Sequence, residues 1–172
     1  IEISVTNKKN NYCIYGDKNY LQSLLLNLGF NAKDAMPAGG RLTIATQAVM
    51  LDEEKISACL LKVRAGRYLE LSVGDTGRGI DKKILHNIFE PFFTTKETGK
   101  GTGLGLAAVY GIVREHKGTI RVETSAAGTV FYVYFPLKKS KACQPEKFVQ
   151  PAKLNGRILV LDDEKILNEL LK

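Results

Sequence analysis

The sequence has no tryptophan, few cysteines and no long apolar segment. Its three cysteines, Cys13, Cys59 and Cys143, are widely spaced and contain no Cys-x-x-Cys pair, so neither a zinc site nor a disulfide framework is predicted. No apolar run approaches the ~20 residues that a membrane-spanning helix requires, and the first residues lack the charge pattern of a signal peptide. We therefore expect a segment that lies in the reducing cytoplasm and makes no membrane contact, in a parent protein that is free to carry membrane anchors elsewhere.

The formal charge of +7 comes in large part from one lysine-rich stretch. These lysines share a proline-containing segment that is typical of a solvated linker: Lys138, Lys139, Lys141, Lys147 and Lys153. Clustered cations can bind nucleic acid, but a charge excess confined to a linker does not indicate a nucleic-acid partner. Hydrophobic residues make up 44% of the chain and charged residues 25%, which is typical of a soluble folded domain.

Apolar periodicity and turn residues predict a single main domain over residues 1–137, a linker over 138–156 and a short final segment over 157–172. Helices are predicted over 18–35, 81–89 and 104–116, with a further helix start at 52–54. Strands are predicted over 1–5, 12–15, 41–49, 67–74, 119–124 and 129–135. This order favours an α/β (α+β) two-layer sandwich, in which helices cover one face of a mixed, mainly antiparallel sheet, over a doubly wound parallel sheet.

Two asparagines, Asn27 and Asn31, lie four residues apart on the first predicted helix and so share one stripe of its surface. An amide oxygen is a suitable ligand for Mg²⁺, which prefers oxygen donors and keeps its other positions for water and phosphate. Two solvated asparagines on a helix flank are the alternative interpretation.

Asp75 ends an apolar strand and is followed by Gly77 and Gly79. A carboxylate that is half-buried at a strand end needs a hydrogen-bond donor, and the exocyclic amine of adenine would supply one. The glycines allow the backbone to approach a flat ring closely. An ordinary Asp-Thr-Gly turn explains the same residues equally well.

A glycine-rich loop, Gly99-Lys100-Gly101-Thr102-Gly103-Leu104-Gly105-Leu106, runs directly into a predicted helix. The free amides and positive end of that helix would suit phosphate groups. The loop lacks the closing Gly-Lys-Ser/Thr of a P-loop and the setting of a dinucleotide fingerprint. A purely structural glycine turn is the alternative.

The order of these motifs resembles the catalytic and ATP-binding domain of sensor histidine kinases over roughly residues 1–137. The motifs that carry the resemblance are Asn27-x-x-x-Asn31-Ala32, Asp75-x-Gly77-x-Gly79, Phe89-Glu90-Pro91-Phe92-Phe93-Thr94-Thr95-Lys96, Gly101-x-Gly103-Leu104-Gly105-Leu106 and Gly128-Thr129-x-Phe131. The resemblance implies a Bergerat-type fold with ATP and Mg²⁺ as cofactors. ATP would lie between the helices and a short lid over residues 94–100.

The resemblance also implies roles for individual residues. Asn31 would hold Mg²⁺, Asp75 and Thr129 would bind adenine, Gly77 and Gly79 would pass close to the base, and Phe92 would anchor the lid. The remaining ATP-binding residues implied by these motifs are Asn27, Ile80, Thr95, Lys96, Lys100, Gly101, Thr102, Gly103, Leu104 and Gly105. Many family members have a lysine where this chain has Asp34, so the phosphate role stays open between Asp34 and the lid lysines.

The implied activity is transfer of the ATP γ-phosphoryl group to a histidine on a dimerisation domain that this segment lacks, so the segment alone should bind ATP without phosphorylating itself. Related ATPases have a glutamate base at the position of Asn27, and an amide cannot serve as a base. An ATP hydrolase of the same fold and a non-catalytic nucleotide-binding module remain the alternatives.

The final segment, Arg157-Ile158-Leu159-Val160-Leu161-Asp162-Asp163-Glu164, resembles the first strand and acidic pair of a receiver domain. The resemblance implies a hybrid kinase, and it implies a receiver domain or response regulator as a second partner. An acidic strand end without special function is the alternative. His116 is interpreted as structural, with a cationic ring suited to a helix end.

Overall fold

A computed structural model describes residues 1–7, 12–59, 61–96 and 101–138 of the chain. The strands are β1 (Glu2–Asn7), β2 (Arg41–Leu51), β3 (Gly66–Asp75), β4 (Thr119–Ser125) and β5 (Gly128–Pro136). The helices are α1 (Lys18–Ala35), α2 (Glu53–Ala58) and α3 (Gly105–Glu115), with a short 3-10 turn at Lys82–Ile84. The linker beyond Lys138 and the receiver-like segment, with Asp162 and Asp163, lie outside the described residues.

The strands form one five-stranded sheet in the order β1-β2-β3-β5-β4. β1 pairs with β2 in parallel, whereas the other neighbouring strands are antiparallel. The register aligns Asp75 of β3 with Thr129 of β5, and Thr129 with Thr124 of β4. Three polar residues therefore form a row across adjacent strands, and this row lies at the end of β3 where the candidate site begins.

α1 and α3 pack side by side on one face of this sheet. Asp17 begins α1, since its carboxylate accepts the backbone N–H groups of Asn19 and Tyr20. Leu24 and Leu28 of α1 are fully buried in the main core. The core also includes Val109 and Val113 of α3 with Val73, Val133 and Phe135 of the sheet. Burial of these stripes fixes the helices over the sheet, so the predicted two-layer sandwich is confirmed.

A smaller apolar cluster contains Leu51, Leu61, Tyr68 and Tyr134. Ile56 of α2 packs against this cluster. Along their strands, Tyr68 and Tyr134 occupy the positions that alternate with the residues of the main core. Their side chains therefore lie on the face of the sheet opposite α1 and α3. The second face of the sheet is therefore partly covered, which the sequence did not predict.

His116 connects the end of α3 to the start of α1. Its Nδ1 lies 2.7 Å from the carbonyl oxygen of Ile112, and its Nε2 accepts the backbone N–H of Asp17 at 3.2 Å. A nitrogen that accepts a hydrogen bond carries no proton, so this geometry requires the neutral ring. The structural role was expected, but the interpretation of His116 as a cation was wrong.

Two predicted elements are shorter than expected. Instead of a strand at 12–15, Ile14 forms a single bridge to Leu137, and the helix predicted over 81–89 consists of the 3-10 turn at Lys82–Ile84 followed by further turns. Cys13 is disulfide-bonded, which the cysteine spacing did not predict, and Cys59 is a free thiol. Within the described ranges, no helix has the length and apolar character needed to cross a bilayer.

Candidate functional site

A cavity of about 720 Å³ lies between α1, the end of the sheet and the loops that precede α3. A volume of this size is in the range of small-molecule and cofactor sites. The predicted site residues in its wall are Asn27, Asn31, Asp34, Asp75, Gly79, Ile80, Thr95, Lys96, Gly101, Thr102, Gly103, Gly105 and Thr129. The fold therefore brings together motifs that lie far apart in the chain.

Asp75 lies at the end of β3 and contributes a carboxylate to the cavity. Its Oδ1 accepts the backbone N–H of Gly77 at 2.8 Å, and the backbone of Thr129 donates a second hydrogen bond. Burial raises the pKa of Asp75, and the two amide bonds offset this rise in part. A half-buried carboxylate of this kind gains from a further donor on a ligand.

The two glycines after Asp75 have different surroundings. Gly79 has φ +72° and lies in the cavity wall, where a Cβ would come within 2.0 Å of the carbonyl oxygen of Ser125. Gly77 is absent from the wall, and a Cβ there would lie 2.5 Å from the carbonyl oxygen of Ala35 at the end of α1. Gly77 therefore allows the loop to pack on α1, while Gly79 shapes the cavity itself.

Three polar residues of α1 also line the cavity: Asn27, Asn31 and Asp34. Their spacing of four and three residues places them on one face of the helix. The Asn27 side-chain nitrogen donates to the carbonyl oxygen of Ser23 at 3.0 Å. A Cβ on Gly105 would lie 3.1 Å from Asn27 Oδ1, so glycine at position 105 keeps α3 close to this amide.

Lys96 forms an ion pair with Asp34 across the cavity wall. The two side chains are 31% and 48% exposed, so solvent screens the pair and it contributes little to stability. The ammonium group is thereby held beside α1, on the same side of the cavity as Asn31. Lys100, the second predicted lid lysine, lies outside the described residues.

The N-terminus of α3 faces the cavity at Gly105. The cap residue is Leu104, and no described side chain caps the first turn. The amides of that turn therefore remain available to an anion, and the positive end of the helix dipole adds to this preference. Leu104 itself is 43% exposed and does not line the cavity.

Gly103 fixes the loop that precedes α3. It has φ +67°, and a Cβ there would lie 2.3 Å from the carbonyl carbon of Phe92. The Phe92 N–H donates to the Gly103 carbonyl oxygen at 3.0 Å, while the Phe92 side chain is 75% exposed and outside the cavity wall. Phe92 therefore contacts the loop through its backbone, and the neighbouring Phe93 contributes its ring to the wall.

Apart from Ile80, sequence reasoning assigned no site role to the apolar residues of the wall, which are mainly Phe30, Ile84, Ile88, Phe93, Leu106 and Phe131, although the last three lie in the quoted motifs. It also missed Arg78, whose N–H donates to the Ala35 carbonyl oxygen at 3.2 Å. The apolar residues have the periodicity of core residues, and only the packed structure distinguishes a cavity wall from a core. Arg78 had a usable signal, since it lies between the two glycines of a predicted ligand loop.

The fold and cavity define a nucleotide-binding domain of the Bergerat type, a mixed sheet under helices whose pocket wall contains a carboxylate and uncapped helix amides. Residues 16–139 match the family of histidine kinase-, DNA gyrase B- and HSP90-like ATPases. Because that match covers most of the chain, the chain belongs to this family.

Similar curated proteins are sensor kinases. The chain is 35% identical to the sensor kinase CckA of Brucella abortus (strain 2308), over 95% of the chain and 18% of that protein. It is 37% identical to sporulation kinase A of Bacillus subtilis (strain 168), over 80% of the chain and 20% of that protein. The chain thus spans about a fifth of the length of these relatives.

Solved structures of histidine kinases share the fold. The mycobacterial sensor histidine kinase MprB superposes with a TM-score of 0.61 at 29% identity, covering 80% of this chain and 82% of that one. Full-length ShkA in complex with AMPPNP gives a TM-score of 0.63 at 25% identity, covering 82% of this chain and 26% of that one.

Proposed function

We propose that this domain binds ATP·Mg²⁺ and donates the γ-phosphoryl group to a histidine on a dimerisation domain of the same parent protein. The observation that carries the proposal is the shared cavity that contains Asp75, Asn31 and the amide end of α3. Adenine would donate its amine to Asp75, and the phosphates would lie toward the α3 amides and Lys96.

The donor set of α1 fits a magnesium ion. No group of three or more His, Cys, Asp or Glu residues that could hold a metal occurs among the described residues, so a metal held mainly by protein carboxylates is not supported there. The amide oxygen of Asn31 would supply a protein ligand, and the remaining positions would be filled by phosphate oxygens and water, as Mg²⁺ prefers. The bound ion would neutralise charge on the transferred phosphoryl group.

Asn27 supports phosphoryl transfer to a histidine over hydrolysis of ATP. An amide side chain accepts no proton at neutral pH and so cannot activate water. Phosphoryl transfer depends mainly on positioning and charge neutralisation, and those are the properties that this site offers. The names of the similar proteins, which are sensor kinases, favour the same choice.

We further propose that the parent protein is a cytoplasmic hybrid kinase in which a receiver domain follows this domain. The match to the CckA sensor kinase covers 95% of the chain, whereas that to sporulation kinase A covers 80%. The longer alignment therefore includes residues beyond the ATPase-type domain. A receiver domain would accept the phosphoryl group from the histidine and so complete a phosphorelay.

Incubation of the parent protein with γ-labelled ATP and Mg²⁺ tests the proposal. We expect an acid-labile, histidine-type label that is strongly reduced in Asn31→Ala and Asp75→Asn variants. The isolated 172-residue chain should bind ATP but remain unlabelled. Rapid ATP turnover by the isolated chain would instead support a hydrolase, and binding without any labelling of the parent protein would support a non-catalytic module.

A further inference from the structure

We propose that Thr124 is a positioning residue that sets the direction of the hydrogen bonds at the base end of the cavity and thereby favours adenine over 6-oxopurines. Thr124 does not line the cavity. Its hydroxyl contacts two residues that do, Thr129 and Ile80. The inference rests on the proposed placement of the purine beside Asp75.

The geometry links both sides of the base end through one hydroxyl. The backbone N–H of Ile80 donates to Thr124 Oγ1 at 2.7 Å. Thr124 Oγ1 lies 3.1 Å from Thr129 Oγ1 and 3.4 Å from the carbonyl oxygen of Gly128. Thr129 is 2% exposed and Thr124 is part-buried, so water competes little for these bonds.

A threonine hydroxyl has one proton to donate, so its bonds form a chain with a direction. Because the Ile80 amide is a donor, Thr124 accepts there and still has its own proton to give. Its shorter contact is to Thr129 Oγ1, at 3.1 Å against 3.4 Å for the Gly128 carbonyl. Donation to Thr129 leaves the Thr129 proton free for a ligand or for a water beside it.

The side chain of Asp75 does not use that proton. The carboxylate takes its hydrogen bonds from the backbone N–H groups of Gly77 and Thr129. The base end therefore offers an acceptor at Asp75 next to a donor at Thr129. Adenine presents a donor amine next to an acceptor ring nitrogen and matches this pair, whereas hypoxanthine presents an acceptor oxygen next to a donor N–H and opposes it.

The test compares ATP with inosine triphosphate in titrations of the 172-residue chain carrying Thr124→Val, Thr124→Ala or Thr124→Ser. The matched control is Thr119→Val, which removes another buried β4 threonine hydroxyl, 8% exposed and outside the cavity wall. Melting temperatures of all variants are measured in parallel. The readout is the ratio of the two dissociation constants, which a loss of stability alone would not change.

We expect both hydroxyl-free variants to lower the preference for ATP about fivefold, the factor that corresponds to one neutral hydrogen bond of ~1 kcal/mol. Thr124→Ser and Thr119→Val should keep the wild-type ratio. Equal weakening of both nucleotides, an unchanged ratio in Thr124→Val and Thr124→Ala, or failure of serine to substitute would overturn the assignment. If the wild type binds neither nucleotide, the proposed function fails as well, whereas an unchanged ratio in a protein that prefers ATP refutes Thr124 alone.

Discussion

Replacement of Asp75 by asparagine separates the proposed nucleotide-binding role of this residue from its effect on stability. The substitution preserves shape and removes the charge. The amide oxygen of the Asp75→Asn variant can still accept a backbone N–H, but the new NH₂ group replaces the second carboxylate oxygen and cannot accept a hydrogen bond from a ligand. A donor would thus meet the adenine amine, where the carboxylate offered an acceptor.

The expected loss of affinity follows from the charge of the carboxylate that accepts the lost hydrogen bond. A hydrogen bond to a charged group contributes about 1.5–3 kcal/mol, so Asp75→Asn should weaken ATP binding roughly 10- to 150-fold. The two backbone bonds to Asp75 hold the carboxylate in place before the ligand arrives. Little of the binding energy is therefore needed for ordering this side chain.

The same substitution should lower the affinity for ATP but raise the stability of the nucleotide-free protein. Burial raises the pKa of Asp75 above its ordinary value of 3.8, so the folded protein holds this proton more tightly than the unfolded chain does. Stability from this group therefore rises as pH falls through the raised pKa, and at neutral pH the ionised carboxylate is a net cost. Asp75→Asn should raise the melting temperature at neutral pH, and the difference should shrink in acid.

Calorimetric titration with ATP and thermal melts from neutral to acidic pH measure both effects on the same samples. An Asp75→Asn variant that binds ATP as tightly as the wild type would refute the proposed contact with the base. A variant that melts below the wild type at neutral pH would refute the conclusion that desolvation dominates the electrostatics of Asp75.

Four further substitutions, with one control, test other parts of the site and fold. Lys96→Met should weaken ATP binding about fivefold. Asp34→Asn should strengthen ATP binding, because the Asp34 carboxylate competes with phosphate for the Lys96 ammonium group. Variants that bind ATP with the wild-type affinity in low-salt titrations would contradict these expectations. Gly103→Ala should weaken ATP binding about tenfold, because it adds left-handed strain of ~1–2 kcal/mol and a Cβ clash, whereas Gly111→Ala, with open space around it, should leave binding unchanged. His116→Ala should lower the melting temperature by about 3–8 °C without changing nucleotide affinity, because it removes bonds to both helices; unchanged melting would rule out that link.

The sequence predicted most of the fold because its long elements have strong local signals. The predicted helix 18–35 coincides with α1, since Asp17 caps it and a continuous leucine stripe defines its buried face. The predictions over 12–15 and 81–89 were wrong in extent because short apolar runs fit several conformations. The cluster around Tyr68 and Tyr134 was missed because strand alternation does not reveal what covers the second face of a sheet.

The polar part of the site was predictable because amides, carboxylates and glycines stand out from an apolar background. The apolar wall was not, because Ile84 and Phe131 resemble core residues in sequence. The ion pair of Asp34 with Lys96 and the row from Asp75 to Thr124 depend on residues far apart in the chain. Only the strand register and the position of Lys96 beside α1 reveal these contacts.

A crystal structure of the chain with a non-hydrolysable ATP analogue and Mg²⁺ would show directly whether the nucleotide binds in the proposed position. We expect the purine amine to lie within hydrogen-bond distance of the Asp75 carboxylate, with the phosphates against the first-turn amides of α3 and the metal on Asn31. A cavity that stays empty at saturating nucleotide, or a nucleotide bound with its base away from Asp75, would contradict this expectation.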